Sequence, residues 1–382
     1  MKEKLKKGTD TIQEVPDRIP VMLMTRELGP GGTERQLTEL ALALDLSRFQ
    51  VHVGCFHEGF RADELRLGGI PILRLPVTSF MNSSAVTGAW QLGRYLRRHK
   101  IRLVHTFDSN LNCFGVPVAR ACGIPVVLSS QRFHRHLTPP RFRKLIRMTD
   151  RIVSGIVVNS ESVRREMVQE ENVPASRVHL CHNGVDIRKF NPEPRLRMPV
   201  LQNASLVIGV VCLLRPEKGL QTLLRAFAQL WHLQEGVRLV FVGSGPEQSR
   251  LETLAQELGV REQCVFQPTV SAVAPWLRSI DIFVLPSLSE ALSNSLMEAM
   301  ACGCACIASS VGGNPELVRD NETGLLFEPA NIQELAEKVS LLACNAELRE
   351  RLARASLRTI QTGFSLTASA ARMREIYDSY LT

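Results

Sequence analysis

Residues 281–318 read DIFVLPSLSEALSNSLMEAMACGCACIASSVGGNPELV, and this stretch decides the architecture. It opens as a buried strand, Ile282-Phe283-Val284-Leu285, which Pro286 and Ser287 end. A short loop carries Glu290. Ser293 or Asn294 then caps a helix, LMEAMAC, with Glu298 inside its first two turns. Gly303 closes the helix, and CACIA reads as the next buried strand. Strand, acidic loop and helix form one unit of a parallel α/β sheet. Ligands in such sheets sit beyond the carboxyl ends of the strands, facing helix N-termini.

Glu290 precedes the cap and Glu298 follows it, so the E-x7-E spacing is no simple helix-face pair. Between them lie the free amides of residues 293–296, with Asn294, Ser295 and Leu296 at the helix start; such amides hold phosphate. Two carboxylates around an anion site suit a sugar nucleotide, one for ribose hydroxyls and one for sugar hydroxyls. Spacing alone leaves open two solvated glutamates on a surface helix.

Outward from this stretch, short apolar runs alternate with helical stretches. PVMLMT, VHVGCF, IPILRL, RLVHTF, IPVVLSS and RIVSGIVVN form a first series. LVIGVVC, RLVFVGSG, CVFQP, DIFVLPS and CACIA form a second. The reading is two similar α/β domains with a cleft between them. Leu28-Gly29-Pro30-Gly31-Gly32 is a tight glycine loop before a helix that Thr33 caps, so Gly31 and Gly32 let backbone amides approach an anion. It is not G-x-G-x-x-G, which speaks against a dinucleotide cofactor. Arg215 and Lys218 follow the strand at 206–212, and Lys218 precedes Gly219 at a helix start, a good place for a diphosphate.

The 382 residues suffice for two domains with sizeable cores. A net charge of +8 favours an acidic partner, and the lack of aromatic platforms argues against nucleic acid. No stretch is long and apolar enough for a membrane span, and the charged N-terminus has no signal-peptide core. The ten cysteines sit mostly in apolar runs, so a cytoplasmic protein with reduced thiols is expected. It could also sit peripherally on the inner face of a membrane. Residues 132–151, RFHRHLTPPRFRKLIRMTDR, hold seven arginines or lysines and an amphipathic half with Phe142, Leu145 and Ile146. That is either a solvated basic face or a dock for anionic lipid. His105, His179 and His182 have no metal spacing, and no metal site is expected.

Several of these segments together resemble the retaining glycosyltransferases of the GT-B fold, in the large family called GT4. SEALSNSLMEAMACGCACIASSVGGNPELV is similar to its E-x7-E segment, LLRPEKGLQTLLRAF to its Lys-Gly phosphate segment, and FVGSGPEQSRLETLA to its strand-Gly-x-Gly-Pro turn. LGPGGTERQ resembles its first glycine loop, and VVNSESVRREM with HNGVDIRKFNP its inter-domain region. The resemblance implies two Rossmann-like doubly wound domains facing across a cleft. It implies a tail over residues 1–16, an acceptor-side domain over 17–190, a linker over 191–205 and a nucleotide-sugar domain over 206–363. Residues 364–382 then form a helix crossing back to the first domain.

It also implies a metal-independent transfer, with retention, from a nucleotide-diphosphate sugar to a saccharide or lipid-linked acceptor, and no other cofactor. Lys218 and Arg215 would hold the diphosphate, Glu290 the donor sugar and Glu298 the ribose. Arg132 and His105 would lie on the acceptor side. The sequence departs from the pattern where Leu213 replaces a common arginine, Ala291 a glycine, and Gln131-Arg132 a histidine. Arg215 is expected to stand in for that arginine. A non-catalytic nucleotide-sugar module, or an epimerase on the same scaffold, is the rival reading.

Overall fold

A computed structural model describes residues 18–194, 196–233 and 235–381; the tail at 1–16 lies outside the described residues. Among the described residues, thirteen strands make two sheets. The first holds β1 (Ile19–Glu27), β2 (Phe49–His57), β3 (Ile72–Arg74), β4 (Leu103–Thr106), β5 (Val126–Gln131), β6 (Gly155–Val158) and β7 (Val178–Leu180). Its order is β3-β2-β1-β4-β5-β6-β7, and every pairing is parallel. The second holds β8 (Leu206–Val211), β9 (Val237–Val242), β10 (Cys264–Gln267), β11 (Ile282–Leu285), β12 (Ala305–Ser309) and β13 (Leu325–Phe327). Its order is β10-β9-β8-β11-β12-β13, again parallel throughout.

Parallel strands need helical crossovers, and these cover both faces of each sheet. Central strands β4, β5, β6, β8, β11 and β12 are therefore buried along their whole length. The crossover helix Leu220–Leu230 shows the matching helical period, burying Leu220, Leu223, Leu224 and Phe227. In each sheet the chain starts in the middle and winds both ways. The direction reverses between β1 and β4 and between β8 and β11, leaving a crevice at each switch point.

The last helix, Leu366–Leu381, packs Ala370, Met373, Ile376 and Tyr377 into the core of the first sheet. It is steered there at Gly184. A Cβ on that glycine would stand 2.7 Å from Leu366 Cα, while Val185 N–H donates to Phe364 O at 3.0 Å. The helix also engages two strand-end histidines. Tyr377 Oη lies 2.8 Å from His105 Nδ1, and Tyr380 Oη 2.7 Å from His179 Nε2.

Some sequence expectations shift. The helix after the glycine loop is Gly32–Ala43, with Gly31 as its cap residue and no side-chain cap, so Thr33 lies inside the first turn. Arg151 and Ile152 belong to the helix Pro140–Ile152 and not to a strand, because an apolar run at a helix end looks like a strand start. The three-residue strands β7 and β13 are too short to show a period. Cys302, Cys304 and Cys306 are all buried in apolar core.

Met373 is almost fully enclosed between the returning helix and the first sheet. Met373→Ala is expected to cost about 2–5 kcal/mol, read as a lower urea midpoint. An unchanged midpoint would mean that the helix does not hold the first domain.

Candidate active site in the interdomain cleft

The carboxyl ends of both sheets face one cavity of about 630 Å³. Four local structures position its lining. The first is the glycine loop after β1. Gly31 is extended and makes no side-chain cap for the helix Gly32–Ala43, and the Glu34 carboxylate folds back over this helix start and accepts from its own amide. Gly32 also permits contact across the cleft. A Cβ there would meet Asn294 Nδ2 at 2.7 Å.

The second is the lysine turn after β8. Gly219 has φ +60, and a Cβ on it would run into the Pro286 carbonyl at the end of β11. Only glycine lets this turn lie so close to β11, and the closeness brings Lys218 Nζ to within 2.7 Å of Glu290 Oε2. Ser287 Oγ donates to the same oxygen at 3.0 Å. Burial alone would depress the Lys218 ammonium, but the Glu290 charge and hydrogen bond outweigh it and hold it above its ordinary value.

The third is the helix Asn294–Ala301. Ser293 caps it, its Oγ accepting from Leu296 N–H at 3.3 Å. Glu298 on this helix is buried, and its carboxylate meets the Arg35 guanidinium from the helix Gly32–Ala43. Burial pushes the Glu298 carboxyl up, while Arg35, Lys189 and Arg61 pull it back.

The fourth is the segment after β5. Arg132 Nη1 donates to Asn183 Oδ1 at 2.7 Å, and Asn183 Nδ2 to Asn294 Oδ1 at 2.8 Å. Asn294 Nδ2 donates in turn to Gly32 O at 3.3 Å, closing a polar chain across the cleft. The Arg132 guanidinium lies 4.8 Å over the Phe107 ring, and burial pulls it down to about 10.

Glu290, Lys218, Arg215, Glu298, Gly31, Gly32, Asn294, Ser295 and Arg132 all line the cavity. Arg215 sits at its mouth, with its side chain 55% exposed and Glu217 at 3.9 Å. Two expected residues stand elsewhere. Leu296 is fully buried and its amide is taken by the Ser293 cap. His105 is fully buried, with Nδ1 against Tyr377 and Nε2 2.9 Å from Ser130 Oγ, so it faces the returning helix and not the cleft. Sequence patterns do not reveal which side of a central strand meets a helix 270 residues later.

The sequence reading missed Arg35, Arg61, Asn183 and Lys189, which also line the cavity. Arg35 stands in the quoted GGTER loop, one turn past the glycines, and that position was its signal. His134 was missed too. Its Nδ1 lies 2.6 Å from Glu166 Oε2 and its Nε2 3.2 Å from the Glu290 carbonyl, while Gly312, at φ +54, leaves room for that carbonyl. Both ring nitrogens thus face acceptor oxygens, which favours imidazolium, and the Glu166 hydrogen bond raises the His134 pKa against its burial. Among the described residues, His134, His136 and Glu166 are also the one grouping of metal-ligand type, with the His134–Glu166 contact occupying two of its donor atoms. Glu316 completes the contacts across the cleft. It accepts from the amides of Glu161 at 2.9 Å and Ser162 at 3.2 Å, and lies 3.0 Å from His182 Nε2.

A sequence model described as Glycosyl transferases group 1 matches residues 199–358, and one described as Glycosyltransferase Family 4 matches residues 30–189. Between them the two models make the chain similar to GT4-type glycosyltransferases over both of its domains. The sulfoquinovosyl transferase SQD2 of Arabidopsis thaliana is 26% identical over 68% of this chain and 53% of its own length. A D-inositol 3-phosphate glycosyltransferase of Mycobacterium ulcerans is 31% identical over 50% of this chain and 43% of its own. The chain thus spans about half the length of these two relatives. A GDP-mannose-dependent alpha-(1-6)-phosphatidylinositol monomannoside mannosyltransferase of Mycobacterium tuberculosis is 28% identical over 84% of this chain and 88% of its own. Among solved structures, HepE of Anabaena superposes with TM-score 0.85 at 20% identity, over 95% of this chain and 100% of that one. Sucrose-phosphate synthase of Thermosynechococcus elongatus superposes with TM-score 0.82 at 19% identity, over 95% and 99%. These likenesses show the GT-B fold.

The His134 pKa is raised in the folded state, facing Glu166 with His136 and Glu170 nearby. The stability it contributes is therefore full below its unfolded value of about 6.5 and lost as pH rises through the folded value. Urea unfolding from about pH 6 to 9 is expected to show the gap between wild type and His134→Gln closing as pH rises. A constant gap would mean that His134 is neutral throughout.

Proposed function

We propose that this glycosyltransferase moves a sugar from a nucleotide-diphosphate donor to an acceptor hydroxyl with retention at the anomeric carbon, without a metal ion in the reaction. The observation that carries the reading is the pairing of Lys218 with Glu290 beside the start of the helix Asn294–Ala301, at the switch point of the second sheet. A cation and open helix amides converge there on one place for an anion. Lys218, Arg215 and the amides near Asn294 would hold the diphosphate and stabilise its charge as it leaves. That positive charge does the work a metal ion does elsewhere. Glu290 would orient the donor sugar through its hydroxyls, and Glu298 would accept from the ribose. Donor entry then asks Glu298 to share itself between Arg35 and the ribose, and Lys218 to share itself between Glu290 and phosphate. The leaving diphosphate would accept the proton of the attacking hydroxyl on the same face.

The epimerase and non-catalytic readings are less favoured, because both glutamates and Lys218 stand together in the cleft. HepE has been solved with UDP and glucose, and the mycobacterial mannosyltransferase is named for GDP-mannose, so both bases are candidates here. That mannosyltransferase is also named for a phosphatidylinositol acceptor, which supports a saccharide or lipid-linked acceptor. No helix among the described residues is long and apolar enough to cross a membrane. The ten cysteines are free, which supports work in a reducing compartment. For peripheral attachment, the helix Pro140–Ile152 exposes Leu145, Met148 and Ile152 beside Lys144 and Arg151, whereas Ile146, expected on that face, is fully buried and Phe142 is half-buried. Arg135 is not part of that face: it is buried, with Asp150 at 2.6 Å and Glu171 at 3.1 Å.

A thermal-shift screen with UDP, GDP, ADP and their sugar conjugates tests donor binding. One nucleotide should stabilise the protein by about 2.7 kcal/mol at a hundredfold excess over Kd, and Glu298→Ala and Lys218→Ala should abolish the shift. No shift with any of them would remove the reading. Retention is read separately by proton NMR of the product's anomeric signal, and an inverted product would overturn that part alone.

A further inference from the structure

His134 is not among the residues that line the cavity, yet it meets the backbone of the residue assigned to the donor sugar. It follows β5 in the first domain, and Glu290 follows β11 in the second. His134 Nε2 lies 3.2 Å from the Glu290 carbonyl and 3.2 Å from Ser162 Oγ. Its Nδ1 lies 2.6 Å from Glu166 Oε2. A carbonyl and a carboxylate both accept, so the ring donates at each end.

The ring is held firmly from behind. Glu166 is buried, and its other oxygen accepts from the Arg135 amide at 2.8 Å. It opens a wide helical turn, Glu166–Glu170, in which Glu171 N–H donates to Glu166 O at 3.0 Å. Turns of this width are rare in helices and are frequent at functional sites. In the second domain, the Gly312–Gly313 turn lies against the same loop. A Cβ on Gly312 would run into the Glu290 carbonyl, and one on Gly313 into the Ala291 carbonyl. Ala291 is itself buried in the core of the first domain. The Glu290–Ala291 peptide is thus seated between the two domains.

That seat bears on the Glu290 carboxylate. Lys218 Nζ and Ser287 Oγ both bond Oε2, so a sugar hydroxyl would meet Oε1. Where Oε1 points depends on the Cα–Cβ direction, which turns with the peptide. Groups that bind a ligand must be held to within about 0.5 Å to act.

We propose that His134, held by Glu166, is a positioning residue for Glu290. It sets the carboxylate that binds the donor sugar, and it does so from the opposite domain. The sugar half of the donor is then gripped only when the cleft is closed. The diphosphate half relies on Lys218 and helix amides of the second domain. This rests on the glycosyl-transfer reading of the same cleft.

Isothermal titration with UDP, UDP-glucose, GDP and GDP-mannose tests it on wild type, His134→Leu, His134→Gln, Glu290→Ala and the double variant of His134→Leu with Glu290→Ala. The readout is the affinity of a sugar conjugate divided by that of its diphosphate. His134→Leu should lower this ratio by about fivefold or more, at unchanged stoichiometry. His134→Gln, whose amide can still donate to the carbonyl, should recover most of it. With Glu290→Ala already present, His134→Leu should have no further effect, because it acts through Glu290. Equal weakening of conjugate and diphosphate would overturn the proposal, since a purely structural role weakens both. So would an unchanged ratio, or effects that add in the double variant. Should His134→Leu not fold, Gly312→Ala presses on the same carbonyl and carries the same comparison. If no nucleotide binds the wild type, the donor reading falls and the role of His134 with it. If one binds and the ratio ignores His134, only that role falls.

Discussion

A carboxylate buried as deeply as Glu298 is costly without a cation, and its cation comes from the other domain. Much of the cleft follows from that constraint. Arg35 must reach across from the helix Gly32–Ala43, so the glycine loop before that helix must pass close to Asn294. That approach leaves no room for a side chain at Gly32. The same closeness lets Asn183 and Arg132 join the chain of hydrogen bonds. One ion pair thereby aligns a helix start from each domain on a shared cavity, each presenting positive dipole charge.

Beside the apolar seat of Ala291 in the first domain's core, many contacts that join the two domains at this cleft are polar and directional. Arg35–Glu298, Asn183–Asn294, His134 to the Glu290 carbonyl, and Glu316 at the amides of Glu161 and Ser162 all fit this description. Polar contacts of this kind exchange for water at small net cost, whereas an apolar interface would not. A cleft closed in this way is suited to opening and reclosing around a charged ligand. The returning helix Leu366–Leu381 is different. It is anchored in apolar core and tethers the chain's end to the first sheet as the cleft works.

Charge inside the cleft is arranged in advance. Glu290 holds Lys218 and Arg35 holds Glu298, so neither carboxylate stands alone before a ligand arrives. Groups already oriented by such pairs need little reorganisation when charge develops near them.

The alternating apolar runs determined two parallel sheets, because strands buried on both faces can only be continuous and apolar. The glycines at 31, 32 and 219 and the glutamates at 290 and 298 were legible, since loops that approach anions and partners closely leave few residue choices. The tertiary structure alone decided the rest. His105 looked like a cleft residue at a strand end, yet a tyrosine from the last helix claims it. Arg135 looked like part of a basic surface, yet Asp150 and Glu171 draw it into the interior. Arg35 and His134 gain their roles only when the second domain arrives with Glu298 and the Glu290 carbonyl. Local sequence sets period, turn and cap within a few residues. The partner of a charge is set by whichever distant segment the packing brings within about 3 Å, and no local pattern records that.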